Sequence, residues 1–266
     1  VFAVEGAAMR RLQLLPGLPN PSYLALDRRA VLLCAVHGDG EHVSAWRCDP
    51  LTGLLAPLGS APCGGRNPVH LAVSPDGRHL FVANHLSSGI AVLRLEPGGF
   101  APGGPVEVLT LRGRPGPDEA EQPFPKPHQV VLSPDGRFLL VPDKGVDRVF
   151  TLRHDPATGR LSVVSELAAR PGAGPRHMAF SPDGRFAYVL NELGSTLTLC
   201  RWNAAEGVLT EVETASTLPP GHRGRSHAAA LRVSLDGRRV YASNRGHDSV
   251  LRCEAVPERG VLRPRG

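Results

Sequence analysis

One short turn sequence recurs along this chain and limits what it can fold into. Ser74-Pro75-Asp76-Gly77-Arg78, Ser133-Pro134-Asp135-Gly136-Arg137 and Ser181-Pro182-Asp183-Gly184-Arg185 are copies. Ser234-Leu235-Asp236-Gly237-Arg238 has lost the proline, and Leu26-Asp27-Arg28-Arg29 reads as a worn fifth copy. Proline presets φ, aspartate bonds back to the backbone and glycine accepts positive φ, so each copy marks a tight turn. Apolar runs flank it: residues 178–180 lead into the turn at 182–184, and the aromatic and β-branched run 186–190 returns from it as the second strand of a hairpin. The aspartates at 27, 76, 135, 183 and 236 are spaced 49, 59, 48 and 53 residues apart. A period near 50 with several short strands per unit is the signature of a β-propeller blade.

The expectation is therefore an all-β protein, a β-propeller of four-stranded antiparallel blades, built as a single domain over residues 1–266. The first full unit places strands at 23–26, 30–36, 42–48 and 54–58. The second has 70–73, 79–83, 90–95 and a weak strand at 106–111. The third has 129–132, 138–141, 148–153 and 161–165, the fourth 178–180, 186–190, 197–202 and 209–213, and the fifth 229–233, 240–243, 249–254 and a last piece near Val261. Residues 1–4 and 9–15 form a leading half unit, so about five and a half blades are present. The chain opens on a strand-like run without methionine, so its N-terminus is expected to be incomplete, and the half unit left over means either a ring closed by strands from both termini or a chain truncated at the C-terminus as well.

Composition narrows the function. The 30 glycines and 26 prolines fall between apolar runs, as all-β structure requires, rather than in a disordered tract. The net charge is +5, but no block of like charge appears, and no nucleic-acid footprint is expected. Lysine is almost absent, with Lys126 and Lys144 the two instances. The five cysteines form no C-x-x-C pair and most sit in apolar strands, as buried thiols of a reducing cytoplasm would. No apolar run reaches the length of a membrane span and no signal sequence opens the chain, so a cytoplasmic protein with no membrane partner is expected. Its oligomeric state is left open.

A hairpin brings its two open ends to one edge. Tyr23, His70, His128, His177 and His227 open the first strands, and Val36-His37, Asn84-His85, Asp143-Lys144, Asn191-Glu192 and Asn244-Arg245 close the second. If the first strand is innermost, both sets surround one mouth of the central channel, where ligand sites of this architecture lie. His70 and His227 suit structural bonds to a neighbouring blade as well as a site. Arg176, Glu192 and Arg245 break the repeat at their positions and so ask for a local reason. Residues 112–127, proline-rich and aperiodic, form a long loop just before Pro127-His128.

Lys126-Pro127-His128-Gln129, Gly174-Pro175-Arg176-His177, Asn191-Glu192-Leu193 and Asn244-Arg245-Gly246-His247-Asp248-Ser249 resemble the lactonase family of seven-bladed propellers. That family includes propeller-type 6-phosphogluconolactonases and fungal carboxy-muconate cyclases. The resemblance runs from about Asn20 onward and implies four catalytic residues, His128, Arg176, Glu192 and Arg245; His177, Asp143, His70 and His227, from the two rings at the channel mouth, are the candidate substrate-binding residues. Lys126 stands where the family often has histidine. Val36-His37 and Asn84-His85 replace its Asn-Glu and Asn-Tyr pairs.

The resemblance implies hydrolysis of a sugar lactone or phosphosugar lactone, 6-phosphogluconolactone foremost, without a cofactor. Glu192 or His128 would take the proton from water, and one of Arg176 and Arg245 would hold the oxyanion while the other faces the phosphate. Two alternatives stand beside this: a muconate-cyclising lyase using the same four residues, and a non-catalytic propeller that binds a partner. No G-x-S-x-G elbow supports a serine nucleophile, and one histidine per blade without paired carboxylates gives no metal site.

Overall fold

A computed structural model describes residues 1–256 and 261–265. Among them every regular element is a β-strand. The chain divides into two compact units.

The first unit comprises residues 1–110 and 155–160. A hairpin, β1 (Phe2–Glu5) with β2 (Ala8–Arg11), precedes the sheet β3 (Pro21–Leu26), β4 (Leu32–His37), β5 (His42–Cys48) and β6 (Leu55–Pro62). The next sheet is β7 (Pro68–Val73), β8 (His79–Asn84) and β9 (Gly89–Glu96). Its fourth strand is broken into β10 (Gly99–Phe100) and β11 (Glu107–Thr110), which pair with opposite ends of β9. Cys34, Val36, Val43, Leu71, Leu80, Val82 and Leu93 form the core between the two sheets.

The second unit holds three antiparallel sheets. They are β12 (Val131–Leu132), β13 (Phe138–Asp143), β14 (Arg148–His154) and β15 (Leu161–Ala168); β16 (Pro175–Phe180), β17 (Phe186–Asn191), β18 (Thr196–Asn203) and β19 (Val208–Ser216); and β20 (His227–Val233), β21 (Arg239–Arg245), β22 (Ser249–Val256) and β23 (Val261–Arg265). Phe138, Leu140, Met178, Val189 and Trp202 pack between the first two sheets, and Tyr188, Leu190, Leu199, Leu231 and Ala242 between the second and third. Every residue of β13 and β17 is buried, which is why those runs stay apolar up to their closing Asp143 and Asn191 rather than alternating. β12 is shorter than the sequence suggests. Pairing there is confined to the bridge of Pro127 with Asp143 ahead of it, and the Gln129 side chain turns to the next sheet, where its Oε1 accepts the backbone N–H of Met178 at 2.6 Å.

The repeated turns are made as their residues dictate. In the turn at 181–184, Ser181 Oγ donates to Asp183 Oδ1 at 2.6 Å and accepts the Phe186 N–H at 3.0 Å, while Gly184 N–H bonds to Ser181 O at 2.9 Å with φ at 69°. The copy at 234–237 keeps these bonds with Leu235 in place of proline, so the proline stiffens the turn without defining it. The worn copy is registered differently from the sequence expectation. Asp27, not Leu26 before it, fills the serine slot: its carboxylate accepts the N–H groups of Val31 and Leu32 at 2.8 Å, and Ala30 takes the glycine position at φ 54°.

Strand pairing also corrects the stacking of the open ends. Pro21 pairs with His37, Pro68 with Asn84, Pro127 with Asp143, Pro175 with Asn191, and Ala228 with Asn244. These are the equivalent positions. Tyr23, His70 and His177 then share one slot. His128 and Arg176 share the slot before it, and His227 lies outside both. The equivalent closing pairs are His37-Gly38, Asn84-His85, Asp143-Lys144, Asn191-Glu192 and Asn244-Arg245.

Candidate active site

The site is built in the second unit from two slots per blade. In the first, pairing passes from Pro175–Asn191 directly to His177–Leu190, so Arg176 is the extra residue of a β-bulge. Bulges re-aim a side chain that the pleat would otherwise fix. In the second, Lys144 and Glu192 lie just past the closing Asp143 and Asn191, while Arg245, after Asn244, is still paired with His227. The closing residues themselves serve the fold. Asn191 Nδ2 donates to Thr196 and Thr198 hydroxyls, each at 3.0 Å, and Asn244 Nδ2 to the Thr217 carbonyl at 2.9 Å. The next residues, Lys144, Glu192 and Arg245, carry the charge.

Glu192 is the hub. Its side chain is 6% exposed and meets four partners: Oε2 lies 2.7 Å from Arg176 Nε, and Oε1 lies 3.1 Å from Arg245 Nη2, 3.3 Å from Lys144 Nζ and 3.5 Å from His227 Nδ1. Burial alone would raise the Glu192 pKa, but Lys144, Arg176 and Arg245 outweigh it and hold the carboxylate below its ordinary value. Glu192 is therefore an ionised anchor and a weak base. Arg176 is committed on its other side as well, donating from Nη1 to the Ala229 carbonyl. Arg245 is 53% exposed, so much of its guanidinium faces outward.

Two further links extend the cluster. Arg225 Nε donates to His227 Nε2 at 3.1 Å, which leaves the ring proton on Nδ1, facing Glu192. Lys144 Nζ also donates to Glu121 Oε2 at 2.8 Å, and Arg225 Nη2 lies 3.9 Å from Glu121 Oε1. The hydrogen bond from Lys144 holds the Glu121 carboxyl below its ordinary pKa. On the opposite side, Arg176 Nη1 lies 3.5 Å from His177 Nε2, and the His177 ring meets His128 edge to face at 5.3 Å between centroids. Burial, reinforced by Arg176 and Arg232, pushes His177 down to about 3, so it stays neutral.

Glu121 arrives on the long loop that the sequence marks before Pro127. That loop is a packed strap. Buried Gln122 donates from Nε2 to the Lys144 carbonyl at 2.7 Å and to Asp147 Oδ1 at 2.9 Å, and Gly116 N–H bonds to the Gly145 carbonyl at 3.0 Å. Gly145 allows this approach, since a Cβ there would stand 1.8 Å from the Phe124 carbonyl oxygen.

The structure thus gathers His128, Arg176, Glu192, Arg245, His177 and His227 into one connected cluster. Asp143 lies behind it. Its Oδ1 accepts the N–H groups of Lys126 at 2.7 Å and Gly145 at 2.9 Å, Oδ2 has no partner among the described residues, and burial raises its pKa to about 7. His70 belongs to the first unit, where its ring stacks on Tyr23 at 3.9 Å. Lys144, Glu121 and Arg225 are members that sequence reasoning did not single out. For Lys144 the signal was available: it is one of two lysines, and it fills the slot of Glu192 and Arg245.

Among the described residues no three His, Cys, Asp or Glu side chains are placed to hold a metal, and no helix is long and apolar enough to cross a membrane. A cavity of about 190 Å³ in this unit is lined by Val149, Leu167, Val189 and Thr198, with Asn191 on its wall.

Known proteins are similar to this chain in sequence and fold. The chain is 30% identical to the 6-phosphogluconolactonase of Bacillus subtilis over 97% of its own length and 73% of that protein's. It is 33% identical to the 6-phosphogluconolactonase of Cronobacter sakazakii over 93% of this chain and 69% of that one. Among solved structures, the periplasmic gluconolactonase of Pseudomonas aeruginosa superposes with a TM-score of 0.89 at 31% identity, covering 99% of this chain and 76% of that one. The profile of the lactonase, seven-bladed β-propeller family matches residues 1–266. The chain belongs to the lactonase family of seven-bladed β-propellers.

Proposed function

We propose that this chain is a lactonase that hydrolyses a sugar lactone, with 6-phosphogluconolactone as its substrate and 6-phosphogluconate as its product. The observation that carries the reading is the charge of the Glu192 cluster. Lys144, Arg176, Arg225 and Arg245 are four cations against two carboxylates, Glu121 and Glu192. The surplus suits an anionic substrate and the oxyanion that forms when water attacks the lactone carbonyl.

The roles divide by what each side chain is free to do. Arg245, half exposed and tied through one nitrogen, offers its remaining N–H groups to the carbonyl oxygen. Arg176 is occupied by Glu192 and Ala229 and acts as a positioning residue. Glu192, weakly basic and surrounded by donors, orients the two arginines. His128 takes the proton from water as the oxygen attacks. The ring C–O bond then breaks, and the proton passes to the departing oxygen to leave a hydroxy acid. His177, held neutral, backs His128 without competing for that proton. The names of the Bacillus and Cronobacter relatives favour hydrolysis over muconate cyclisation. The continuity of contacts from His128 to Arg245 favours an enzyme over a binding scaffold. Five free thiols, four of them buried, suit a cytoplasmic setting.

The test is hydrolysis of freshly generated 6-phosphogluconolactone by the purified chain, with the spontaneous rate subtracted. His128→Ala is expected to lower kcat by about a hundredfold or more, the usual worth of a placed base. Arg245→Ala should lower kcat by a similar factor. Variants as fast as the parent would overturn these roles.

A further inference from the structure

Of the 30 basic residues in the chain, two are lysines, and both lie buried at this cluster. Everywhere else the basic side chain is arginine. Lysine is a compact ammonium with three rotatable donors, whereas arginine is a broad planar fork, so the two are not interchangeable in a confined space. Lys144 shows the use of the smaller group: one nitrogen bridges Glu121 and Glu192. Lys126 is different. Its ammonium lies 5.3 Å from the Phe124 ring centroid, the residue is 8% exposed, and among the described residues it makes no ion pair with a carboxylate. The other cations of the cluster each face one.

The surroundings of Lys126 make this costly. Burial, and after it the like charge of Lys144, push its pKa below the ordinary value. The carboxylates it feels are Glu121, then Asp118, with Glu192 weaker. Lys126 therefore sits at the strap end of the cluster, a step removed from Glu192, as a nearly buried cation that feels carboxylates but is in contact with none among the described residues. The backbone holds it there. The Lys126 N–H is bound by Asp143, its carbonyl accepts the Lys144 N–H at 3.0 Å, and Pro125 and Pro127 flank it. A rigidly presented, unpaired ammonium beside a positive site is arranged to receive an anion.

We propose that Lys126 is a specificity-determining residue that binds the phosphate group of the substrate and so selects a phosphorylated lactone over its unphosphorylated counterpart. This rests on the lactonase reading above. Adding Lys126 brings the surplus of the cluster to three positive charges, five cations against two carboxylates. A phosphate monoester carries up to about two negative charges at neutral pH, and the oxyanion of the transition state adds one. An unphosphorylated lactone would supply only the last.

The experiment compares kcat/KM for 6-phosphogluconolactone and for glucono-δ-lactone in the parent chain, Lys126→Gln and Lys126→Arg, with folding checked by circular dichroism. One charge-assisted hydrogen bond is worth a factor of about ten or more in affinity. In Lys126→Gln the preference for the phosphorylated substrate should therefore fall about tenfold, mainly through KM, and Lys126→Arg should restore part of it. A preference altered less than about threefold, or an equal loss on both lactones, would overturn the proposal. Calorimetric titration with inorganic phosphate separates this from the lactonase reading. If the parent hydrolyses neither lactone, that reading fails. Phosphate binding that weakens at least threefold in Lys126→Gln would still support the anion site, and binding unchanged, or no binding by the parent, would remove it.

Discussion

At the turn ends of the hairpins, four of the blades repeat the same bonds. Ser Oγ donates to Asp Oδ1 at 2.6 Å in the turns beginning at Ser74, Ser133 and Ser181 and at 2.5 Å in the turn at Ser234. At the open ends, one slot holds Lys144, Glu192 and Arg245 in three successive blades. The backbone geometry is shared, and the chemistry is not. Repetition at the turn end serves every blade equally, because each hairpin has the same backbone groups to satisfy. The open end departs from its own repeat where three unlike charges must meet, and the departure gives a surplus of positive charge that no single blade could build.

Breaking the hub should have the largest effect. Glu192→Ala leaves the largely buried Arg176 without its carboxylate and the buried Lys144 with Glu121 alone, and denaturant unfolding should show a loss of about 3 kcal/mol. Restoring the repeat at Asp143 should sharpen the comparison. Asn84, Asn191 and Asn244 fill the same slot, and Asp143 carries an acid there whose pKa is raised by burial to about 7 from the ordinary 3.8. Between those values the folded state keeps a proton that the unfolded state has lost, so Asp143 makes stability fall as pH rises, levelling off above 7. Asp143→Asn should therefore stabilise more at pH 8 than at pH 5, by about 2 kcal/mol in melts at the two pH values. An equal gain at both would refute the raised acid. The smallest effect belongs to the turn end. Ser181→Ala removes its bonds to Asp183 and Phe186 and should cost about 1 kcal/mol in denaturant midpoint while leaving lactone hydrolysis at the parent rate.

The same contrast explains what could be read from the sequence. The turn end was legible because it repeats: Pro182-Asp183-Gly184 states its conformation locally, and four copies give the period of the blade. Arg176, Glu192 and Arg245 were legible as departures from that period. Register was not. His128 and Arg176 are equivalent, and His177 is the next residue along, because a bulge shifts the pleat by one position, and bulges leave no mark in the apolar pattern. The same one-residue ambiguity directed attention to Asp143, which binds backbone amides, in place of Lys144, which reaches Glu192. Glu121 lay in an aperiodic loop whose course is set by the buried Gln122 and by the close approach of Phe124 to Gly145, contacts that no local pattern announces.

The central claim, that the chemistry resides where the repeat is broken around Glu192, is tested most directly by one rate. It is the hydrolysis of freshly generated 6-phosphogluconolactone, above the spontaneous reaction, by the parent chain and by Glu192→Gln at a temperature where both are folded. The account predicts a parent rate well above background and a fall of about a hundredfold or more in the variant, since the amide no longer fixes Arg245, which holds the oxyanion, and Arg176 beside it. A parent at the spontaneous rate, or a variant as fast as the parent, would contradict it.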